Sequence, residues 1–127
     1  MSVLLLNLFI IVPVLAYRIA RNRAPHHVYC ITGASVGAVI GPVSFGLYSW
    51  YFVSPIGVVP GIAGLMLLIM HEGPGFYLAV NCGLVPAGKV VTGFAQHAIV
   101  EVLNGAIWLV CYGIIGYMID RFRFRRK

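Results

Sequence analysis

Charged residues are scarce in this 127-residue chain, which has 9% charged against 61% hydrophobic residues. A soluble domain carries roughly 25% charged residues because its surface faces water. The mean hydropathy of +0.95 points in the same direction. Too few charges are present to coat a soluble globule, so we expect lipid to solvate most of the surface. Spans of about 20 residues would use most of the chain, and we predict one membrane-embedded helical domain over residues 1–127.

Cysteine is also scarce, with three residues at Cys30, Cys82 and Cys111. Each lies alone among apolar neighbours, which fits neither a disulfide framework nor a metal site. His71 and Glu72 could begin a zinc-protease motif, but Gly75 stands where the second histidine must be and Pro74 would break the helix. The sequence shows no nucleophile–base set and no phosphate-binding loop. We therefore expect no catalytic residue, no metal and no cofactor, and a role other than that of an enzyme.

Acidic residues number only three, whereas Lys and Arg number nine, which gives a net charge of +6. Eight of the nine basic residues form two clusters, Arg18–Arg23 and Arg121–Lys127, and each cluster follows an apolar run. The positive-inside rule produces such clusters, and they can contact anionic lipid headgroups. No aromatic-basic surface suggests a nucleic-acid partner. The pattern predicts a multi-pass protein of a plasma or inner membrane, with its N-terminus outside and its short basic tail, 120–127, in the cytoplasm.

The first apolar run lacks the positive charge that precedes the apolar core of a secretory signal, so we expect a retained first helix. This helix is predicted over Val3–Ile19, with a kink at Pro13. The second helix is predicted over Val28–Val53, with a bend at Pro42. Aromatic residues at its far end predict an interfacial belt, formed by Tyr48, Trp50, Tyr51 and Phe52.

Glycine recurs at every fourth position in the second helix, at Gly33, Gly37 and Gly41. In lipid, helices gain nothing from hydrophobic burial against each other, and close backbone packing across small residues takes over that role. The three glycines are therefore predicted to form a helix-packing face. The sequence does not say whether its partner lies in the same chain or in another subunit.

The middle of the chain contains two marginal apolar pieces, Val58–Met70 and Phe76–Phe94, separated by the predicted surface turn His71–Gly75. Two basic clusters on one side of the membrane require an even number of crossings between them. The sequence therefore predicts a compact all-α bundle of about five transmembrane helices. The alternative is three spans plus a re-entrant helical hairpin, which must be buried in protein. Four spans are less favoured because they would leave one cluster on the wrong side.

The last helix carries a polar stripe inside its apolar run. His97, Glu101, Asn104 and Trp108 follow at i, i+4, i+7 and i+11 and share one face. A carboxylate within a span normally faces protein or a water-filled cavity. Lys89 is expected at a similar depth and could pair with Glu101. These residues predict a buried polar network, or alternatively an ion or ligand path.

Three functions fit these features. The favoured one is a non-catalytic accessory or assembly subunit of a membrane complex, which docks through the glycine face. The second is a transporter or channel component that uses the polar stripe around Glu101. The third is a small holin-like pore former. The expected partners are membrane lipids together with other membrane subunits, or further copies of the chain.

Overall fold

A computed structural model of the chain describes residues 2–51, 58–88 and 94–125. In these residues all elements are helical and no strand occurs, which confirms the predicted all-α class. The elements are α1 (Ser2–Arg23), a 3-10 turn (Pro25–His27), α2 (Val28–Tyr51), α3 (Val58–Asn81) and α4 (Phe94–Phe124). The side chains of the predicted aromatic belt, and Lys89, lie outside the described part.

The break between α1 and α2 falls at a proline. The residue before a proline is disfavoured in the helical region, and α1 ends at Arg23, just before Ala24 and Pro25. The amide of His27 donates to the carbonyl of Ala24 at 2.9 Å, and this bond closes the 3-10 turn that leads into α2. Pro13 and Pro42 lie within helices, as predicted.

The middle region differs from its prediction, because α3 continues through His71–Gly75 as a single helix. The predicted surface turn is therefore wrong. A proline inside a helix removes one backbone donor, and neighbouring helices can satisfy the groups that it frees. The second apolar piece, Phe76–Phe94, does not form one helical span, because residues 82–88 are not helical. The described residues contain four long helices, and the five-span bundle is not confirmed.

The end of α3 is a Schellman motif. Gly83 adopts a left-handed φ of 71°. The amide of Leu84 donates to the carbonyl of Ala79 at 2.9 Å, and that of Gly83 donates to the carbonyl of Val80 at 3.0 Å. These two bonds satisfy carbonyls that the helix end would otherwise leave open. Val85 then turns inward to pack with Ala79, which fixes the chain against the bundle after α3.

The closest helix contact is between α2 and α4, which run antiparallel. On α2, Gly33 lies against the backbone of Tyr112, and Gly37 lies against the backbone of Trp108. Glycines of α4 contribute as well: a Cβ at Gly105 would lie 3.0 Å from the carbonyl oxygen of Ala38. The glycine face of α2 therefore packs within the chain, against α4, and both helices use small residues to bring their backbones together.

The distribution of polarity is the reverse of that in a soluble protein. Large apolar side chains are exposed on all four helices, whereas the buried polar residues are Ser44, His71, Glu101, Asn104 and Asp120. Within the described residues, Pro25–Gly46 and Ala95–Phe124 are long and apolar enough to cross a membrane, and only 33% and 28% of their most apolar windows are buried. A core helix of a soluble protein would be mostly buried. These features favour association with a membrane.

The α2–α4 contact predicts that a change from glycine to alanine has opposite effects on stability at Gly37 and at Gly113. Gly37→Ala would place a methyl group in the backbone of Trp108, and we expect a loss of about 1–3 kcal/mol in the free energy of unfolding. At Gly113 the nearest atom to an added Cβ is the Cβ of Ala34 at 3.5 Å. Gly113→Ala should be neutral or stabilising, since alanine favours a helix over glycine by about 1 kcal/mol.

Equilibrium unfolding of both variants in mixed micelles measures the difference. Equal tolerance of the two substitutions would show that α2 and α4 do not approach as described.

Candidate functional site

A polar array, largely buried, lies where α4 packs on α3 and α2. We use this name for His71 of α3 and for Glu101, Asn104, Trp108 and Tyr112 of α4. Asn104 is 0% exposed, His71 5% and Glu101 6%. The array shares Glu101, Asn104 and Trp108 with the predicted stripe of α4, adds Tyr112, and joins them to a histidine that the sequence placed at the surface; His97 of the stripe lies outside it. The stripe faces the interior of the bundle.

Two bonds join α4 to the backbone of α3 around Pro74. The amide of Gly75 donates to Oδ1 of Asn104 at 2.7 Å, and Nε1–H of Trp108 donates to the carbonyl oxygen of His71 at 2.8 Å. In a regular helix this amide and this carbonyl form the donor and acceptor of one i→i−4 position, next to Pro74, which itself has no donor. Gly75 is needed for this approach, because a Cβ there would lie 2.6 Å from the backbone nitrogen of Asn104. Side chains of α4 thereby support α3 through its proline.

The imidazole of His71 is held at both nitrogens. Nδ1 lies 2.8 Å from the carbonyl oxygen of Leu67, and Nε2 lies 2.9 Å from the hydroxyl oxygen of Tyr112. A carbonyl can only accept, so Nδ1 carries a proton, and in the neutral ring Nε2 accepts the hydroxyl proton of Tyr112. The ring also meets the indole of Trp108 edge-on, with centroids 4.7 Å apart. This geometry fixes one orientation of the imidazole.

The other end of the stripe packs on α2. The carboxylate of Glu101 lies against Gly41, where an added Cβ would be 2.7 Å from Oε2. His97 is half-buried, and its ring stacks on that of Phe45 with centroids 5.1 Å apart. The predicted residues therefore do share a face, but the side chains of His97 and Glu101 contact α2, whereas those of Asn104 and Trp108 bond to α3. The predicted pair of Lys89 with Glu101 lies outside the described residues and stays a prediction.

The prediction that His71 stays hydrated at the membrane surface is wrong. In the sequence, Gly73, Pro74 and Gly75 together predict a break in the helix. In the structure the helix continues because Asn104 and Trp108 provide hydrogen-bond partners from α4. The spacing of His71 and Gly75, four residues apart on one helix face, was the available signal, but it does not reveal which helix lies opposite.

A second buried acid lies at the arginine end of the bundle. Asp120 is 2% exposed. Its two carboxylate oxygens accept the amides of Tyr29 at 3.2 Å and Cys30 at 2.8 Å. The first amides of a helix have no intrahelical partner and carry positive partial charge, so a carboxylate there is stabilising. Arg123 reinforces the contact by donating to the hydroxyl of Tyr29 at 2.9 Å. Sequence reasoning missed this cap, because the contact joins residues 90 positions apart.

The chemistry that the array offers is hydrogen bonding and, through His71 and Tyr112, exchange of a proton. Three of its members bond directly to α3, which favours a role in holding the helices together. Within the described residues, no three His, Cys, Asp or Glu side chains approach closely enough to hold a metal ion.

No protein-family model, curated protein or solved structure matches the chain. A helical bundle hosts many functions, so the function has to be argued from the site itself. The site consists of polar groups that bond to one another and to backbone where α3 and α4 meet.

The array predicts that Tyr112→Phe destabilises the protein, because it leaves Nε2 of His71 without its donor. We expect a loss of about 0.5–1.5 kcal/mol, toward the lower end if the site lies in lipid. Tyr117→Phe on the same helix is the control, since its hydroxyl only accepts from Arg121 at an exposed position. Thermal unfolding of both variants measures the difference, and equal stability of the two would argue against a bond between His71 and Tyr112.

Proposed function

We propose that this chain is a multi-span membrane protein that acts as a non-catalytic accessory or assembly subunit of a membrane complex. The observation that carries the proposal is the polar array, whose members bond α3 to α4 while apolar side chains face outward. Such an interior stabilises one arrangement of helices. It suits a protein that presents an outer surface to a partner more than one that must open a path.

The packing supports a particular topology. Arg21 of α1 and Arg123 of α4 line one cleft of about 320 Å³, together with Asp120, so the two basic clusters lie at the same end of the bundle. The positive-inside rule favours the cytoplasm for that end. It also favours an N-terminus outside the cell, because α1 crosses the membrane once and its arginines follow at the cytoplasmic end.

In this topology the chain leaves α2 and enters α4 at the same end of the bundle. Since α2 and α4 are antiparallel, the end of α2 and the start of α4 lie at the end opposite the arginines. Ala79, near the end of α3, packs with Val100 of α4 at that same end. We therefore favour three crossing helices, α1, α2 and α4. The helix α3 is continuous and finishes at this same end of the bundle, so it is not a re-entrant hairpin of two half-helices.

The sequence predicts that the subunit docks through the glycine face of α2, but another surface has to serve this role. The glycine face of α2 already packs on α4 of the same chain. Among the described residues, the outward face of α3 carries the most exposed large apolar side chains: Ile69 at 69%, Met70 at 70% and Tyr77 at 69%. Methionine adapts its shape to irregular surfaces and is frequent at binding faces. We propose that this face contacts a helix of another membrane subunit.

A transport role is the second candidate, and buried Glu101 favours it. An ionisable residue within a span is often part of an ion or proton path. The two roles differ in the effect of Glu101→Gln. A path predicts an intact fold and loss of proton or ion movement into liposomes, whereas a structural network predicts lower stability and no flux even in the unmodified protein.

The accessory role predicts that the protein, extracted gently from the membrane, has the mass of a complex with another subunit. Native mass spectrometry should find the 13.8 kDa chain bound to an unrelated subunit at fixed stoichiometry. Ile69→Trp should release that subunit because a larger side chain disrupts the docking face. Ile114→Trp, on the exposed side of α4, should retain it. A mass that is a large multiple of 13.8 kDa alone would instead support a homo-oligomeric pore.

The topology predicts the sides from which single cysteines react. Cys82 is exposed at the end of α3, and with Cys30 and Cys111 changed to serine it should react with an impermeant maleimide on intact cells. In a background without native cysteines, Ala24→Cys and Arg125→Cys should react only after the membrane is permeabilised. Reaction of Ala24→Cys and Arg125→Cys from opposite sides would contradict the proposed crossings.

A further inference from the structure

A surface cleft of about 620 Å³ lies between α1 and α2 near the arginine end. Its lining changes in character along α1. Pro13 and Val14 form an apolar part, and Arg18, Arg21 and Asn22 follow toward the end of the helix. These residues span about 13 Å at 1.5 Å per residue. The volume lies within the range of sites for small molecules, about 300–1,000 Å³.

The two arginines of this cleft are available to a ligand. Among the described residues, neither Arg18 nor Arg21 takes part in a hydrogen bond or an ion pair. Two arginines of α4 at the same end are engaged: Arg121 donates to Tyr117 and Arg123 donates to Tyr29. None of the described residues that line the cleft is acidic. The cleft therefore concentrates two unengaged guanidinium groups beside an apolar surface.

We propose that this cleft binds one anionic phospholipid, with its phosphate between Arg18 and Arg21 and an acyl chain along Pro13 and Val14. Guanidinium groups bind phosphate through paired, charge-assisted hydrogen bonds, and basic pockets between helices on the cytoplasmic side bind anionic headgroups. The inference rests on the proposed membrane topology, which puts Arg18 and Arg21 at the cytoplasmic interface and Val14 deeper in the bilayer.

Binding of this lipid would stabilise the pairing of α1 with α2. Within the described residues, α2 is the only long helix that α1 contacts. Thr32 of α2 also lines the cleft, so a lipid there touches both helices. The bound phospholipid would be an additional contact for α1, which within the described residues packs only on α2 and the 3-10 turn.

The test compares two double variants of the full-length chain that lose the same charge. Arg18→Gln with Arg21→Gln removes the cations of the cleft, whereas Arg23→Gln with Arg125→Gln removes two exposed cations outside it. Each is reconstituted in nanodiscs of phosphatidylglycerol and phosphatidylcholine, and native mass spectrometry counts the phosphatidylglycerol retained. We expect the first double variant to bind phosphatidylglycerol at least about tenfold more weakly than the second. Equal loss in both would overturn the inference, since it would indicate general attraction to the basic end.

Two further measurements separate the remaining outcomes. Val14→Trp fills the apolar part without a change of charge and should also lower retention, whereas unchanged retention would overturn the seating of an acyl chain there. Inorganic phosphate added to phosphatidylcholine nanodiscs should not raise the thermal stability; an increase equal to that given by phosphatidylglycerol would identify free phosphate as the ligand. Cysteine labelling at Ala24 reports on the topology independently, so failure of the cleft and failure of the membrane arrangement are distinguishable.

Discussion

The contact between α2 and α4 is the constraint on which the rest of the structure depends. Apolar helices in lipid gain little by touching, so they must approach closely enough for backbone contacts to stabilise the pair. Gly33 and Gly37 on one helix and Gly105 and Gly116 on the other permit that approach. The antiparallel register that results brings the end of α4 beside the start of α2, and the two clusters of arginines lie together.

The register also places polar groups where they can be satisfied. It brings Asp120 to the first amides of α2 and turns the stripe of α4 inward, so that Asn104 and Trp108 reach α3. An unsatisfied polar group away from water costs several kcal/mol, so each of these bonds discriminates against other arrangements of the helices. Burial of His71 is part of the same arrangement, because its ring fills the space between α3 and Tyr112.

Much of this organisation could be predicted from composition and spacing. The class, the approximate bounds of α1 and α2 and the shared face of the α4 stripe follow from helical periodicity and from the length that a membrane requires. The continuity of α3 could not be predicted, because the side chains that bond to its backbone beside Pro74 come from residues about 30 positions away. Gly83 and Pro86 did carry a local signal for the end of α3, which the apolar run around them obscured.

A single sequence also does not show which helix packs against a given glycine face. The spacing of Gly33, Gly37 and Gly41 indicates that some helix approaches closely, and the same spacing serves contacts within a chain and between chains. On α4, the glycines that pack against this face are Gly105, Gly113 and Gly116. Their spacing does not indicate a packing face, because Gly105 and Gly113 stand eight residues apart and Gly116 follows after only three. Complementarity between two faces is visible only once both helices are placed.

Disulfide trapping in native membranes tests the central contact most directly. The Cβ of Ala34 lies 3.5 Å from the position of a Cβ at Gly113, and disulfides join Cβ atoms about 3.5–4.5 Å apart. With the native cysteines replaced by serine, Ala34→Cys with Gly113→Cys should form an intramolecular disulfide on mild oxidation, whereas Ala34→Cys with Ile114→Cys should not. A cross-linked dimer, or equal reaction of both pairs, would contradict the packing of α2 on α4 within one chain.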